Sequence, residues 1–125
     1  MRALSLLLIA WGGLATGATA DAPGQPPTVL RCGWFENPTP GNAWLTDRDG
    51  QWLIGVQGGH QAEGDWPRFT SARWVRTNGH YGYGCACLKV VADEVSHEVQ
   101  RIVSAGSRTL RTCRRDKTLV EPRFD

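Results

Sequence analysis

The sequence predicts a small, mainly β domain whose antiparallel sheet is barrel-like and stapled by disulfide bonds. Short apolar segments alternate with turns rich in Gly, Pro, Asn and Asp along most of the chain, which is the pattern of consecutive β-strands. The four cysteines are an even number in a short chain, as expected of a disulfide-bonded domain. The 125-residue chain keeps about 105 residues once its predicted leader is removed, and covalent links help to stabilise a domain of that size.

Residues 1–20 have the three-part pattern of a cleaved secretory signal peptide. A positive start at Arg2 is followed by an apolar run to about Ala15, and Ala18-Thr19-Ala20 forms a small-x-small cleavage site. The apolar run is shorter than the roughly 20 residues that span a bilayer. We therefore expect a periplasmic or secreted protein that has no membrane span after cleavage.

The charge of the predicted mature chain is nearly balanced. One of the 14 basic residues, Arg2, lies in the leader, so 13 basic side chains face 12 acidic ones. Such a small net charge creates no large field for nucleic acid or for a membrane surface. The charge therefore argues against nucleic-acid binding.

The cysteines are predicted to form two disulfide bonds. They are Cys32, Cys85, Cys87 and Cys113. Because Cys85 and Cys87 are two residues apart on a predicted strand, their Cα atoms would lie near 7 Å apart, at the limit for a bridge. Cys32 is therefore expected to join one of them and Cys113 the other, and the sequence leaves the choice open.

A copper or zinc site is the alternative use of these cysteines. Cys85 and Cys87 could supply thiolates, with His80 nearby as a third ligand. The spacing differs from the common zinc patterns, which place two to four residues between the cysteines. Outside the cytosol the thiols should also oxidise first, so disulfides are favoured.

Five segments are predicted strands, because apolar residues are concentrated in them and turn residues bound them. They are 29–36, 43–47, 51–57, 72–77 and 80–91. The second and third form a hairpin around Arg48-Asp49-Gly50, and Asn78-Gly79 joins the last two because both residues tolerate positive φ. Residues 37–42 contain two prolines and are predicted to be a loop, and residues 21–28 form a flexible leader.

The last of these strands has one bare face. Its larger side chains share the other face: Tyr81, Tyr83, Cys85 and Cys87. The bare face carries Gly82, Gly84 and Ala86. Such a face predicts that another backbone or a large aromatic side chain packs close against it.

The chain beyond residue 92 allows two interpretations. Residues 93–104 fit a helix capped by Asp93, whereas the shorter segment 97–104 fits a strand. We favour the strand because its neighbours are strands, with one short helix near 94–104 as the alternative. Residues 108–113 are predicted to be the last strand, the single domain covers 29–120, and 121–125 form a loose tail.

Most of the mature chain resembles a known family. The strings RCGWFENPTPGNAWLTDRDGQWLIGVQGG, TNGHYGYGCACLKV and LRTCRRD occur in order over about residues 30–120, and CGWFENPTP and GYGCAC are unusual within them. They resemble an uncharacterised family of exported bacterial proteins, the domain of unknown function 4087. The resemblance implies an envelope location and brings no known activity, ligand or active-site residue.

The tryptophans favour a binding function. The mature chain holds Trp34, Trp44, Trp52, Trp66 and Trp74. A domain this small can hardly bury all five, and exposed Trp and Tyr are typical anchors for protein or sugar partners. Trp66, Tyr81 and Tyr83 are the candidate binding surface. The sequence thus predicts a non-catalytic binding or inhibitory protein of the cell envelope, whose partner is an unidentified protein or glycan.

Two other functions are kept as alternatives: a small envelope enzyme acting on cell-wall or glycan material, and a Cys/His metal carrier. No catalytic residue, cofactor or metal ligand is predicted. His60, His80 and His97 are far apart in sequence, and the common hydrolase and phosphate-binding motifs are absent. The cysteine count leaves no thiol over to act as a nucleophile.

Overall fold

The structure is a computed structural model, and it describes residues 12–13 and 26–123. In this part of the chain six strands form one mixed sheet: β1 Val29–Thr39, β2 Asn42–Asp47, β3 Gly50–Gly55, β4 Val75–Asn78, β5 Tyr81–Asp93 and β6 Glu98–Arg108. A 3₁₀ turn at Ser71–Arg73 precedes β4, and one short helix, α1, spans Leu110–Arg115. The predicted cleavage site and most of the predicted signal peptide and leader lie outside the described residues.

The sheet curls into a partial ring. Its strand order is β1-β2-β3-β6-β5-β4, and β1 also pairs with β5. Every strand pair is antiparallel except β3 with β6, which are joined in parallel at Leu53 and Glu98. Because that seam is a single residue pair, the ring is not a true barrel. The predicted mainly β, disulfide-bonded domain is confirmed.

The interior of the ring holds the main core. Alternate residues of β5 point inward, so Ala86, Leu88 and Val90 are buried there. They pack with apolar side chains from the other strands of the ring: Phe35, Leu45, Trp52, Ile54, Val99 and Ile102. This periodicity explains why the bare face predicted for β5 is the inner one, where space is short.

A second cluster lies on the outer side of β1 and β5, beneath α1. Trp34 and Tyr83 meet edge to face with ring centroids 5.4 Å apart, and both are buried. The Cys85–Cys113 disulfide belongs to the same cluster and fastens α1 to β5. Tyr83 donates a hydrogen bond of 2.7 Å to Glu121, so the first residue of the predicted tail is held against the domain.

The two disulfides join the cysteines as two distant pairs. Cys32 is bonded to Cys87 on the neighbouring strand, and Cys85 is bonded to Cys113. The predicted disulfide bonding of all four cysteines is confirmed, and the pairing that the sequence left open is now assigned. Both sulfurs of the CAC motif are therefore unavailable as thiolates for the copper or zinc alternative.

The segment after β5 is a tight turn followed by a strand. The side chain of Asp93 accepts hydrogen bonds from the backbone N–H groups of Val95 and Ser96, at 2.8 and 2.9 Å. His97 follows with φ 57°, which reverses the chain, and β6 then runs back along β5. The strand interpretation is thus confirmed, and the helix alternative near 94–104 is not adopted.

The prediction of a last strand over 108–113 is wrong, because those residues lead into α1. β6 pairs with one edge of β5 as far as Cys85, which lies opposite Arg108. Beyond that point β4 takes the same edge, with Val75 opposite Tyr83. The chain after Arg108 has no strand partner and forms a helical turn instead.

Several strand boundaries also differ from the prediction. β1 continues to Thr39, so the predicted loop 37–42 shrinks to a tight turn in which Gly41 has φ 73°. β4 begins at Val75 rather than at residue 72, because Ser71–Arg73 form the 3₁₀ turn.

Candidate functional site

An aromatic cleft opens beside the β4–β5 hairpin and has a volume of about 370 Å³. Four aromatic residues form its walls and floor: Phe35, Trp66, Phe69 and Trp74. Polar side chains form its rim: Asn37, Thr70, Ser71, Arg76 and His80. We call this the aromatic cleft below.

The four rings of the aromatic cleft form one continuous contact surface. The centroid of Phe35 lies 5.7 Å from that of Trp66 and 5.8 Å from that of Phe69. The centroids of Phe69 and Trp74 lie 4.8 Å apart. Phe35 is buried and forms the floor, whereas the other three rings are half-buried and leave part of their surface open.

Glycine on β5 sets the depth of this cleft. A methyl group placed on Gly84 would lie 2.5 Å from Cε1 of Phe69 and 2.7 Å from the carbonyl oxygen of Arg73. Only a residue without a side chain lets Phe69 pack this closely. The large aromatic side chain that the bare face of β5 predicted is therefore Phe69.

Hydrogen bonds hold the remaining walls. The indole N–H of Trp74 donates to the carbonyl of His80 at 3.0 Å, which ties the cleft wall across the hairpin. Trp66 follows a segment anchored to the ring, since the N–H of Ala62 donates to the carbonyl of Ile54 at 2.9 Å. The cleft thus rests on sheet structure although part of it comes from irregular chain.

The rim of the aromatic cleft is polar and basic. Arg76 is exposed and forms no ion pair with the described residues, and His80 is exposed beside it. No carboxylate is among the described residues that line the cleft. The arrangement can bury an apolar group and offer hydrogen bonds around it, and its described lining does not include the carboxylate pair used in glycoside hydrolysis.

A charge cluster in which Arg31 and Asp47 are buried lies near the start of β1. The guanidinium of Arg31 lies 3.5 Å from the ring centroid of Trp52 and donates to Asp47 at 2.9 Å. Asp49 and Glu94 accept further hydrogen bonds from it, at 3.2 and 3.1 Å. Burial lowers the pKa of Arg31, but these three carboxylates outweigh burial and the pKa is raised.

The same cluster provides hydrogen-bond partners for the side chains of Trp52 and Asp47. The indole N–H of Trp52 donates to Asp47 at 3.0 Å, and His97 stacks on the Trp52 ring with centroids 3.9 Å apart. The backbone N–H of Asp49 donates to the same carboxylate oxygen, Oδ1 of Asp47, at 2.9 Å. Both oxygens of Asp47 and the indole N–H of Trp52 are paired within the cluster, whereas Nε of Arg31 is buried without a hydrogen-bond partner among the described residues.

The three predicted surface residues do not form one surface. Trp66 lines the aromatic cleft, and Tyr81 is half-buried and packs against the rim residue His80, with ring planes tilted by 35° and centroids 4.2 Å apart. Tyr83 is 6% exposed and lies in the outer cluster, so its inclusion in an exposed surface is corrected. Strand alternation put Tyr81 and Tyr83 on one face, but α1 and the following segment cover only the position of Tyr83.

Sequence reasoning missed Phe69 and Trp74 as cleft residues. Phe69 lies in an irregular segment without periodicity, and Trp74 precedes a four-residue strand. The available signal was the bare face of β5, which required an aromatic partner that the sequence did not identify. The long-range contact between Phe69 and Gly84 becomes visible in the fold.

The histidines are engaged in separate places. A ring nitrogen of His60 lies 2.7 Å from the carbonyl of Val99, and the ring of His97 stacks on Trp52. Within residues 12–13 and 26–123, no three His, Cys, Asp or Glu side chains are grouped so that they could hold a metal ion. No helix in this part of the chain has the length and apolar character needed to cross a membrane.

Comparison with known proteins identifies the family. No curated protein and no solved structure matches the chain. One family model matches residues 28–120, which covers every strand and α1, and the family is described as a protein of unknown function, DUF4087. The chain therefore belongs to the DUF4087 family.

Proposed function

We propose that this chain is an exported, non-catalytic binding protein that holds a partner protein through the aromatic cleft. The observation that carries the proposal is the recess of about 370 Å³ walled by three half-buried aromatic rings. Recesses of this kind receive a large apolar or aromatic side chain of a partner, because burying such a side chain provides much of the binding energy.

The shape of the cleft favours a protein side chain over a sugar. Trp66, Phe69 and Trp74 surround a recess whose floor is the buried Phe35. A sugar stacks best on a broad, exposed ring face, whereas these rings are tilted against one another at 31° to 64°. The uncompensated Arg76 on the rim suits an acidic residue next to the inserted side chain.

The disulfides support an exported location. Disulfide bonds form and persist in oxidising compartments, and both bonds of this small domain are intact. The three-part pattern of residues 1–20 agrees with export. We therefore place the binding function in the periplasm or outside the cell, where an inhibitory role toward an envelope enzyme is one form it can take.

Site-directed cross-linking in cells tests the proposal. A photoreactive phenylalanine analogue replaces Arg76 at the rim, or replaces Arg111 of α1, which does not line the cleft, as the matched control, since both side chains are exposed. We expect one protein to cross-link at position 76 and not at position 111. Adding Trp66→Ala should remove that adduct, because the substitution removes one wall of the recess.

Two results would contradict the proposal. One is an adduct pattern that is the same at both positions, which would indicate contact without a specific site. The other is a rim adduct that survives both Trp66→Ala and Trp74→Ala, since the aromatic walls would then contribute nothing. Binding of purified envelope oligosaccharides that depends on the same two tryptophans would replace the protein partner with a glycan.

A further inference from the structure

One edge of β6 is open next to the aromatic cleft. β5 covers one edge of β6 along its whole length. On the other edge the N–H of Ile102 donates to the carbonyl of Glu63 at 2.7 Å, and the chain that contains Glu63 then diverges. The divergence leaves a groove of about 510 Å³ between residues 64–68 and residues 102–107. Trp66 lines both this groove and the aromatic cleft.

The disulfide between β1 and β5 reveals which backbone groups face the groove. The Cα atoms of Cys32 and Cys87 are 4.0 Å apart, which marks a pair that is not hydrogen-bonded across the two antiparallel strands. The backbone groups of Cys87 therefore point the other way, toward Gly106 of β6. Because the pattern alternates, the backbone groups of Ala105 and Ser107 point away from β5 and into the groove.

Most of these outward groups have no partner among the described residues. The carbonyl of Ser107 accepts a hydrogen bond of 3.1 Å from the side chain of Arg73. Outside the β5–β6 ladder, no hydrogen bond within residues 26–123 uses the N–H or the carbonyl of Ala105, or the N–H of Ser107, and the alternation turns these groups away from that ladder. Unpaired backbone groups on a strand edge are a template for the addition of another strand.

The side chains along this edge leave room for an added strand. Residues 103–107 are Val103, Ser104, Ala105, Gly106 and Ser107. All of them are exposed or half-buried, and none carries a charge or is a proline. Natural proteins usually protect an open edge with Lys, Pro or a bulge that twists it away. β6 has a register irregularity near Val103, but the following residues stay accessible.

The charges around this edge favour an acidic added strand over a second copy of this chain. Arg68, Arg101 and Arg108 are exposed and form no ion pair with the described residues. Glu63 and Asp65 are the acidic side chains of the same region, so positive charge is in excess. A second copy paired antiparallel around Ala105 would bring Arg101 of one chain close to Arg108 of the other, and such like-charge contact is unfavourable.

We infer that the open edge of β6 binds an extended, acidic segment of a partner polypeptide as an additional strand. The inference rests on the proposed function, because it assigns backbone contacts to the surface that adjoins the aromatic cleft through Trp66. The N–H and carbonyl of Ala105 and the N–H of Ser107 supply the backbone hydrogen bonds. The neighbouring arginines supply the preference for acidic side chains.

Amide exchange measured by NMR tests the inference on the intact, disulfide-bonded protein. The probes are a ten-residue peptide of alternating Glu and Val and its counterpart with Lys in place of Glu. We expect the acidic peptide to slow hydrogen exchange at Ala105 and Ser107, and to leave Ser104 and Gly106, which already bond to β5, unchanged. We also expect it to bind at least about tenfold more tightly than the basic peptide.

Variants of the edge separate backbone pairing from general attraction. Ala105→Pro removes the outward N–H and should weaken the acidic peptide at least about tenfold, whereas Ala105→Val keeps the N–H and should change affinity less than about twofold. If Ala105→Pro does not fold, the exposed pair Arg68→Glu and Arg101→Glu should abolish the preference for the acidic peptide. Arg111→Glu is the control and should leave that preference intact.

Several results would overturn the inference. These are equal binding of both peptides, binding of neither, or protection at amides outside residues 103–107. Concentration-dependent dimerisation that Ala105→Pro abolishes would assign the edge to a second copy instead. Trp74→Ala separates this inference from the proposed function: peptide protection at Ala105 should survive that substitution, whereas the cross-link at the cleft rim should not.

Discussion

Replacing Arg31 should be the most damaging single substitution of a charged residue in this domain. Its side chain is 8% exposed and donates to Asp47, whose side chain is 5% exposed, at 2.9 Å. Arg31→Met keeps much of the apolar length of the side chain against Trp52 and removes the charge. The carboxylate of Asp47 then stays buried without its cation.

The magnitude follows from the burial of both partners. Removing one partner of a buried ion pair costs about 3–5 kcal/mol, because the remaining charge is left uncompensated. Asp49 and Glu94 add little, since their side chains are 56% and 62% exposed and water screens their attraction to Arg31. Asp47 also keeps its hydrogen bonds from Trp52 and Asp49, so we expect the lower half of the range, about 3–4 kcal/mol.

A double-mutant cycle measures this effect. Urea unfolding followed by tryptophan fluorescence gives the free energy of unfolding of the wild type, Arg31→Met, Asp47→Asn and the double variant. The double variant should be less destabilised than the two single variants together, because neither charge is then left unpaired. Exposed Arg111→Met is the control and should change stability by less than about 0.5 kcal/mol. Additive effects, or a loss below about 1 kcal/mol for Arg31→Met, would refute the reasoning.

Three further predictions concern the covalent links, the cleft and acid stability. Replacing both cysteines of the Cys85–Cys113 disulfide by alanine opens a link with a sequence separation of 28 and should lower the free energy of unfolding by about 3–4 kcal/mol in urea titrations; a loss below about 1 kcal/mol would contradict this. Gly84→Ala should cost about 1–3 kcal/mol by crowding the cleft floor, whereas Gly59→Ala, where space is available, should be nearly neutral. The hydrogen bond from Arg114 lowers the pKa of Glu121 from its ordinary 4.5, so this carboxylate stabilises the fold at neutral pH and the benefit is lost as pH falls below about 4.5. Glu121→Gln should reduce that acid-dependent decline in the urea midpoint, and an unchanged decline would contradict the assignment.

The disulfide-bonded β fold was predictable from local features of the sequence. Alternating apolar residues and the Asn78-Gly79 turn located the strands and the hairpin, and the two-residue spacing of Cys85 and Cys87 ruled out a bond between them. The helix at 110–115 was not predictable in this way. It forms because β4 already occupies the strand edge that RTLRTC would need, which is a property of the sheet and not of that segment.

The candidate site was predicted in part. Trp66 was identified because an aromatic residue in an irregular segment is often a contact residue. Tyr83 was misplaced because strand alternation gives the face of a residue but not what covers that face, and here Glu121 and the outer cluster do. The open edge of β6 depends on where the chain after Glu63 diverges, so the sequence held no local signal for it.

The most direct test of the proposed binding surface is fluorine NMR of the protein labelled with 5-fluorotryptophan. Trp34, Trp44, Trp52, Trp66 and Trp74 are assigned by single substitution, and the protein captured by cross-linking at position 76 is then added. The resonances of Trp66 and Trp74 should move, while those of the fully buried Trp34 and Trp52 stay in place. Movement confined to Trp44, or no movement of Trp66 and Trp74 at a saturating concentration of the partner, would contradict the proposed surface.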